Sequence, residues 1–356
     1  MEPSATDEVL IRREGRAGRI TLNRPKALNA LTYAMVGRIW EALRAWRHDP
    51  AVGLVLLDGA GERGLCAGGD VRSFYESRSR GSGYARAYWR DEYRLNALIG
   101  RYPKPYVALQ DGIVMGGGVG LSAHARHRIV TERSRLAMPE TGIGLIPDVG
   151  GTWLLAHAPG EAGVYLGLTG GSMGPADAIH AGFADSFVPV AALPALVERL
   201  CDPAGGDVAS VVAGAARAAG ASALAQRTAD IDRLFSGASV ESIIAALAAD
   251  AGDWAAEAAA ALAQKSPKSL KLTLAAVRKA RTLPSLEAAL KVEYRLVVRL
   301  FEDGEFPEGV RALLVDKDRH PRWSPPGLAG VGVDLVTRYL APLPDAEELT
   351  FESDGG

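Results

Sequence analysis

A run of three glycines between an apolar segment and a helical pattern constrains this chain more than any other feature. Gly116 to Gly118 follow the apolar segment Val107 to Met115. Because glycine has no Cβ, the backbone N–H groups at the start of such a helix can approach a ligand closely. Donors of this kind stabilise the negative charge that develops on a carbonyl oxygen. The sequence therefore predicts a backbone binding site for a carbonyl oxygen at Gly117.

A second glycine loop precedes the first. Residues 53–57, GLVLL, predict a buried strand that leads to residues 66–70, CAGGD, and then to a helix. If Gly69 and Gly117 each donate one N–H to the same oxygen, each donor would stabilise the transition state by roughly 3 kcal/mol. We therefore expect two strand, loop and helix units that form an oxyanion hole, which suits a thioester substrate.

Two carboxylates follow the glycine run in apolar surroundings. Glu140 lies in the segment AMPET, and Asp148 follows Pro147. Burial would raise the pKa of Glu140 or require a hydrogen-bonding partner, whereas an ordinary loop glutamate would lie in water. Asp148 could cap the next helix, and a capping carboxylate can still present its second oxygen to a substrate. Both are candidate catalytic residues.

Four motifs resemble those of the crotonase superfamily, the enoyl-CoA hydratases and isomerases. They are LNRPKALNAL from Leu22, LCAGGD from Leu65, MGGGVGL from Met115 and MPETGIGLIPDVGG from Met138. Within this superfamily the chain most closely resembles the 3-hydroxyisobutyryl-CoA hydrolase branch. The similarity continues to EGVRALLVDKDRHPRW from Glu308, so it covers most of the chain.

Position 120 separates two activities within the superfamily. Hydratases normally place a glutamate there, whereas this chain has Gly120. Hydration needs a base for the water and an acid at the α carbon, and hydratases use two carboxylates for these roles. This chain keeps Glu140 and gains Asp148, as the hydrolase branch does. The resemblance therefore implies hydrolysis of a short 3-hydroxyacyl-CoA, with 3-hydroxyisobutyryl-CoA of valine breakdown as the expected substrate.

The resemblance implies roles for both carboxylates. Glu140 either attacks the thioester carbonyl to form a mixed anhydride or acts as the base for water, while Asp148 orients the attacking group or shuttles its proton. An enoyl-CoA hydratase or isomerase is the first alternative. A CoA-ester-binding scaffold without turnover is the second. No cofactor or metal is expected, since coenzyme A is part of the substrate.

Glu92 is a further candidate for substrate binding. The helical segment YWRDEYRLNAL alone would indicate a solvated charge paired with Arg90 or Arg94. In the hydrolases that the chain resembles, a glutamate at this position lines the acyl pocket. There it could accept a hydrogen bond from the substrate hydroxyl.

The resemblance also predicts CoA contacts at three positions, through backbone as well as side-chain atoms. These positions are Lys26, Ala27 and Ala67. A set of lysines around the start of a later helix could contact the CoA phosphates or form a solvated basic face. This set comprises Lys265, Lys268 and Lys271.

Several other patterns have simpler interpretations. The segment GVGLSA from Gly118 fits a relaxed dinucleotide-binding pattern, but no acidic residue suits the ribose contact. GGSMG from Gly170 matches a nucleophile elbow, although its context indicates a turn between helices. His124 and His127 have helical spacing without a nearby carboxylate pattern, which argues against a metal site. Cys66 is read as a small loop residue, not as a nucleophile.

The periodicity predicts an α/β protein with a mostly parallel sheet. Residues 9–22 alternate as a hairpin, and Ala30 to Arg47 have helical spacing. Alanine and leucine at helical spacing dominate after residue 192. The resemblance implies a crotonase-type spiral of strand-strand-helix repeats in residues 1–192, and a mainly helical region in residues 193–356 that completes the active site and assembly.

The composition excludes some classes of partner and favours one kind of cellular compartment. The formal net charge of −2 gives no electrostatic case for nucleic acid, and the charged residues that interrupt the alanine-rich stretches exclude membrane spans. The first residues lack the pattern of a signal or transit peptide. With only two cysteines, a reducing compartment is the simplest assumption. We therefore expect a cytosolic enzyme with an acyl-CoA substrate, and we consider assembly into a homo-oligomer.

Overall fold

The computed structural model describes residues 8–351. The chain forms two compact units, each built from separate stretches of sequence. The first unit contains residues up to Gly69 together with residues 94–137 and 172–225. The second contains residues 70–93, residues 138–171 and the residues from 226 onward.

All the strands lie in the first unit. They are β1 (Val9–Glu14), β2 (Ala17–Leu22), β3 (Leu54–Gly59), β4 (Gly64–Cys66), β5 (Tyr106–Gln110), β6 (Ile113–Met115), β7 (His127–Val130), β8 (Arg135–Ala137) and β9 (Ser186–Phe187). The larger sheet has the order β1-β2-β3-β5-β7-β9, and the smaller has the order β4-β6-β8. Among the strands of residues 8–351, only β1 and β2 pair antiparallel along their length, which confirms the predicted hairpin. The other pairs are parallel.

Seventeen α-helices are assigned along the part of the chain that the structure describes. Nine precede residue 220: α1 (Tyr33–Arg47), α2 (Val71–Ser77), α3 (Gly83–Gly100), α4 (Gly117–Ser122), α5 (Gly151–Ala156), α6 (Ala162–Thr169), α7 (Pro175–His180), α8 (Leu193–Cys201) and α9 (Val208–Ala215). Eight follow: α10 (Ala223–Gln226), α11 (Thr228–Phe235), α12 (Val240–Ala249), α13 (Asp253–Ala263), α14 (Pro267–Ala280), α15 (Leu286–Glu302), α16 (Glu305–Val310) and α17 (Val333–Leu340). None of the described helices is long and apolar enough to cross a membrane.

The strand order shows how the repeats of the spiral are built. Each repeat places its first strand in the larger sheet and its second strand in the smaller one, as in β3 and β4, β5 and β6, and β7 and β8. A helix follows each pair in the sequence. The predicted strand-strand-helix repeat is therefore confirmed. Because consecutive repeats add parallel strands side by side, the loops after β4 and β6 are neighbours.

The boundary between the units differs from the one predicted at residue 192. A buried cluster joins alternate residues of β3 and β5, such as Leu54, Leu56 and Val107, to apolar residues of α8 and α9, such as Leu196 and Val212. These two helices thereby bury the face of the larger sheet to which those alternate residues point. They belong to the first unit, although they lie after residue 192 in the sequence.

The second unit consists of helices and connecting segments. Ser266 caps α14 through a hydrogen bond from the backbone N–H of Ser269, with Pro267 at the first helical position, as the sequence predicts. An aromatic cluster packs near the start of this unit, with Phe74 in edge or tilted contact with four rings at 4.6 to 5.8 Å. Those rings belong to Tyr84, Tyr88, Trp89 and Phe306.

Candidate active site

The two glycine loops lie against each other in the first unit. A Cβ built on Gly118 would lie 2.5 Å from the carbonyl oxygen of Cys66, so only glycine permits this approach. Gly68 has a φ of +112°, and a Cβ there would lie 4.0 Å from the backbone nitrogen of Gly117. Gly117 is the first residue of α4, where a helix offers its N–H groups no internal partner. The two loops are therefore neighbours, and their joint use as an oxyanion hole through Gly69 and Gly117 stays a prediction.

The loop that contains Lys26 is bonded to the same region. Leu28 and Asn29 have φ values of +51° and +55°, and the Leu28 carbonyl accepts a hydrogen bond from the Ala67 N–H at 3.0 Å. Lys26 and Ala27 are exposed. The structure thus brings all three residues predicted to bind CoA into one surface region of the first unit.

Glu140 lies in the second unit, at the start of a short 3-10 turn that extends to Ile143. Its side chain is buried, and Oε2 accepts no hydrogen bond from any residue that the structure describes. Burial, followed by the charge of Asp148, holds the pKa of Glu140 well above its ordinary value. This carboxyl matches the prediction of a buried, perturbed acid, and its free oxygen can act on a bound molecule.

Asp148 is buried near Glu140 and has a different environment. Tyr93 donates a hydrogen bond from its hydroxyl to Asp148 Oδ2 at 2.7 Å. Burial raises the pKa of Asp148 to about 7, and the Tyr93 hydrogen bond opposes this shift. Asp148 makes no side-chain cap on the next helix, whose N-cap position is Gly150. The capping role considered for Asp148 is therefore wrong.

Glu92 is a buried residue of α3 and belongs to the same carboxylate group. Only 3% of its surface is exposed, so the solvated ion pair suggested by the local sequence does not form. Burial, and then the charge of Asp148, hold the pKa of Glu92 well above its ordinary value. The protonated form of such a group can both donate and accept hydrogen bonds.

A fourth buried acid, Glu293, was not predicted from the sequence. It lies on α15 with 0% of its surface exposed and accepts hydrogen bonds from the backbone N–H groups of Gly150 and Thr152, at 2.7 and 2.9 Å. Burial raises the pKa of Glu293 to about 8. The signal available in the sequence was a glutamate on the apolar face of an amphipathic helix, in the segment VEYRLVV, but nothing local identifies its partners.

The three lysines considered for phosphate contacts lie in three different environments. Lys268 is buried and forms ion pairs with Asp303 and Glu305, so it does not belong to a solvated basic face. Lys271 pairs with Glu241 at 2.5 Å. Lys265 is half-buried, and burial lowers its pKa while the charge of Glu140 opposes that shift.

The turn predicted after Gly170 is confirmed, whereas the helix predicted to contain His124 and His127 is not observed. The segment from Gly170 is a turn between α6 and α7, since Gly170 ends one helix with a φ of +66° and Pro175 begins the next, as predicted. His124 and His127 do not share a helix. The helix α4 ends at Ser122, and His127 begins β7, because the chain must leave the helix to continue the sheet.

Each unit contains one feature that acyl transfer requires. The first unit holds backbone N–H donors at a glycine loop, and the second holds a group of buried acids with raised pKa values. Buried acids with shifted pKa values are typical of general acid–base and nucleophilic residues. The family model for enoyl-CoA hydratase/isomerase matches residues 17–340.

The chain belongs to the enoyl-CoA hydratase/isomerase family. Two curated relatives are named "3-hydroxyisobutyryl-CoA hydrolase, mitochondrial". The one from Danio rerio is 42% identical over 98% of this chain and 93% of its own length. The one from Homo sapiens is 41% identical over 95% of this chain and 90% of its own length. The resemblance to this branch of the family is confirmed.

Two solved structures share the fold closely. One is described as a carnitinyl-CoA dehydratase from Mycobacterium thermoresistibile, with a TM-score of 0.93 and 48% identity over 98% of this chain and 100% of that one. The other is described as an enoyl-CoA hydratase from Rhodobacter sphaeroides 2.4.1, with a TM-score of 0.91 and 48% identity over 97% and 100%. The crotonase-type fold is confirmed, and these family members carry names of different activities.

The relatives contradict the expected cytosolic location. Those from Danio rerio, Gallus gallus and Homo sapiens are all named as mitochondrial. The expectation rested on the first residues, of which residues 1–7 lie outside the described part of the chain, and on composition. A low cysteine content and a weak net charge suit more than one reducing compartment, so composition does not distinguish them.

Proposed function

We propose that this protein hydrolyses a short 3-hydroxyacyl-CoA thioester, most specifically 3-hydroxyisobutyryl-CoA, to the free acid and coenzyme A. The observation that carries the proposal is the buried acid pair Glu140 and Asp148, together with Gly120 at the position where hydratases normally have a glutamate. The curated relatives with hydrolase names support it. The product acid would belong to valine breakdown.

In the proposed mechanism the thioester carbonyl oxygen accepts hydrogen bonds from the N–H groups of Gly69 and Gly117. These donors would stabilise the charge that develops when the carbonyl carbon is attacked, by roughly 3 kcal/mol each. The contacts of Lys26, Ala27 and Ala67 would hold the CoA part of the substrate. The proposed reaction needs no cofactor, because coenzyme A is part of the substrate and water is the second reactant.

Glu140 would perform the attack on the carbonyl carbon by one of two routes. As a nucleophile, Oε2 forms the new C–O bond, the C–S bond breaks, and water then cleaves the mixed anhydride. As a base, Glu140 takes a proton from the water that attacks directly. In the base route Asp148 would pass the proton taken from the attacking water to the departing sulfur. In the nucleophilic route, where the Glu140 carboxylate has no proton to give, a protonated Asp148 would supply its own proton to the sulfur and regain one from the water that cleaves the anhydride. Hydroxylamine added during turnover distinguishes the routes. It converts an anhydride at Glu140 into a hydroxamate of the Glu140 side chain, which the base route does not form.

The proposal is tested by offering two CoA esters to the purified protein. We expect release of free thiol from 3-hydroxyisobutyryl-CoA and no loss of the enoyl absorbance of crotonyl-CoA. Hydration of crotonyl-CoA without thiol release would instead assign a hydratase. Binding of both esters without any reaction would assign a non-catalytic scaffold.

Assembly into a homo-oligomer is part of the proposal. The helical region after residue 192 supplies α8 and α9 to the sheet of the first unit and the later helices to the second unit. Light scattering on the protein as it elutes from a size-exclusion column measures its mass directly. A mass equal to the single-chain value of 37.4 kDa would exclude the oligomer.

A further inference from the structure

The carboxylate of Glu293 makes three hydrogen bonds to one short segment of the second unit. Oε2 accepts from the backbone N–H of Gly150 at 2.7 Å, and Oε1 accepts from the backbone N–H of Thr152 at 2.9 Å. The Thr152 hydroxyl donates a third bond to Oε1. Because the side chain is fully buried, these donors replace its solvation and fix both of its oxygens.

The segment that Glu293 holds has an uncommon backbone conformation. Val149 has a φ of +53°, and Gly150 has a φ of +82°. The left-handed region is unfavourable for a β-branched residue, which stays there only where its surroundings hold it. The backbone N–H of Gly151 closes the turn by donating to the Asp148 carbonyl at 2.6 Å. The strained turn therefore begins at the candidate catalytic residue itself.

We infer that Glu293 is a positioning residue for Asp148. Tyr93 holds the Asp148 side chain at Oδ2, and Glu293 holds the backbone that follows Asp148, so the two contacts together define where the carboxylate lies. Without Glu293, the Val149–Gly150 turn relaxes toward ordinary φ values and Asp148 shifts with it. This inference rests on the proposed function, in which Asp148 takes part in thioester hydrolysis.

A purely structural role for Glu293 makes different predictions. A buried carboxylate at the first turn of α5 also stabilises that helix, and its loss lowers stability whether or not Asp148 moves. The variant E293Q preserves the size of the side chain, but its NH₂ group cannot accept a hydrogen bond, so at least one of the three donors loses its acceptor. The variant V298A shortens another buried side chain of the same helix, which takes part in none of these three hydrogen bonds.

The decisive experiment combines E293Q with D148N in a double-mutant cycle. For E293Q alone we expect kcat for thioester hydrolysis to fall about 10- to 100-fold, with KM changed less than about threefold, because a small displacement of a reacting group has effects of this size. In the D148N background, E293Q should change kcat less than about twofold, since residues that act as a unit are not additive. V298A should keep kcat near the wild-type value despite a lower Tm. Equal losses from E293Q in both backgrounds, or an equal loss from V298A, would overturn the inference.

Thr152 offers a matched pair of variants for the same contact. T152V removes the hydroxyl donor to Glu293 at nearly constant volume, and T152S retains it. We expect T152V to lower kcat in the same direction as E293Q, and T152S to restore it. Equal activities of T152V and T152S would contradict a role for this contact in positioning.

A measurement without turnover separates this inference from the proposed function. Hydrogen exchange of the peptide that contains Gly150 and Thr152 should accelerate in E293Q and stay unchanged in V298A. If exchange accelerates but the wild-type protein releases no thiol, Glu293 holds the turn and the hydrolase assignment fails. If exchange does not change, Glu293 does not hold the turn, whatever the activity of the wild-type protein.

Discussion

The buried acids differ in what each of them contacts, and their individual surroundings determine their chemistry. Glu140 has an oxygen without a hydrogen-bonding partner among the described residues, whereas Asp148 receives a hydrogen bond from Tyr93. An oxygen without such a partner is more nucleophilic and more basic than one that accepts a hydrogen bond. This difference supports the attacking or proton-accepting role for Glu140 and the supporting role for Asp148.

The raised pKa values predict an unusual pH dependence of stability. A carboxyl in the unfolded chain titrates near 4, whereas the pKa of Asp148 in the folded protein is about 7. Between these pH values the folded state binds more protons than the unfolded state, so the free energy of unfolding decreases as pH rises from about 4 to about 7. Because D148N has no carboxyl to ionise, it should lose less stability between pH 5 and pH 8, by on the order of 2 kcal/mol.

Urea unfolding of the wild-type protein and D148N at the two pH values measures this difference. The pKa values of Glu92, Glu140 and Glu293 are also raised, so some decrease with pH should remain in D148N. Identical pH dependence of both proteins would show that Asp148 titrates normally in the folded state.

Activity should depend on pH for the same reason. Glu140 must be ionised to attack the carbonyl or to accept a proton, and burial holds its pKa well above the ordinary value. We therefore expect kcat/KM for the hydroxyacyl ester to rise with pH through the neutral range instead of levelling off near pH 5. Rates measured from pH 5 to pH 9 test this expectation, and a constant value above pH 5 would contradict it.

Glu92 is predicted to select for a hydroxylated acyl group. If its carboxyl bonds to the β-hydroxyl, the wild-type protein should hydrolyse 3-hydroxyisobutyryl-CoA about tenfold or more faster than isobutyryl-CoA, as measured by kcat/KM. E92L should remove most of this preference by lowering the rate on the hydroxy ester. E92Q, which can still bond to a hydroxyl, serves as the control. Equal rates of the wild-type protein on both esters would exclude this role.

The glycine loops set a constraint at the scale of secondary-structure elements. A Cβ at position 118 would lie 2.5 Å from the Cys66 carbonyl oxygen, so G118A must push the start of α4 away from the loop after β4. We expect kcat to fall about tenfold or more, because the Gly117 N–H moves with α4. G37A is the matched control: apart from the adjoining backbone of α1 and the two neighbouring residues, no atom of the described chain lies within 4 Å of the new Cβ, and alanine should stabilise that helix by about 0.5–1 kcal/mol.

Kinetics and thermal unfolding of both variants complete this test. G118A should lose activity even where it remains folded at the assay temperature, and G37A should keep wild-type activity with a higher Tm. Wild-type kcat in G118A would show that the position of this loop does not matter for the reaction.

Local signals in the sequence predict individual helices and strands better than they predict which of these elements pack together in one unit. The helix predicted for Ala30 to Arg47 is observed as Tyr33–Arg47, and it begins later because Thr32 caps it through the N–H of Met35. The predicted helical character after residue 192 is observed, but α8 and α9 join the first unit. Packing of an apolar helix face on a particular sheet depends on contacts between distant residues, which periodicity does not record.

The candidate site shows the same division between local and distant information. Glu140 and Asp148 stand out within one loop, and their perturbed pKa values follow from the apolar residues beside them. Glu293 bonds to Thr152 across 141 positions of sequence, and Lys268 finds its partner Asp303 across 35. No spacing rule predicts such pairs, so the sequence alone missed the contacts of Glu293 and left Lys268 open between a CoA phosphate contact and a solvated basic face.

At the scale of the whole molecule, fold and activity are separate questions. Family members with TM-scores of 0.93 and 0.91 are described as a dehydratase and a hydratase, while the curated relatives are described as hydrolases. One fold therefore occurs in proteins that are named for different reactions of CoA thioesters, so the fold alone does not assign a reaction. In the function proposed for this chain, the assignment depends on Gly120, Glu140 and Asp148.

The most direct test of the account is the rate of thiol release from 3-hydroxyisobutyryl-CoA by the wild-type protein and by E140Q. The two side chains have nearly equal size, but an amide is neither a useful nucleophile nor a base. We expect rapid thiol release by the wild-type protein and a kcat at least about 10³-fold lower for E140Q. The KM and the thermal unfolding transition of E140Q should be similar to those of the wild-type protein. Thiol release by E140Q at a rate near that of the wild-type protein would contradict the role of Glu140 on which the proposed function depends.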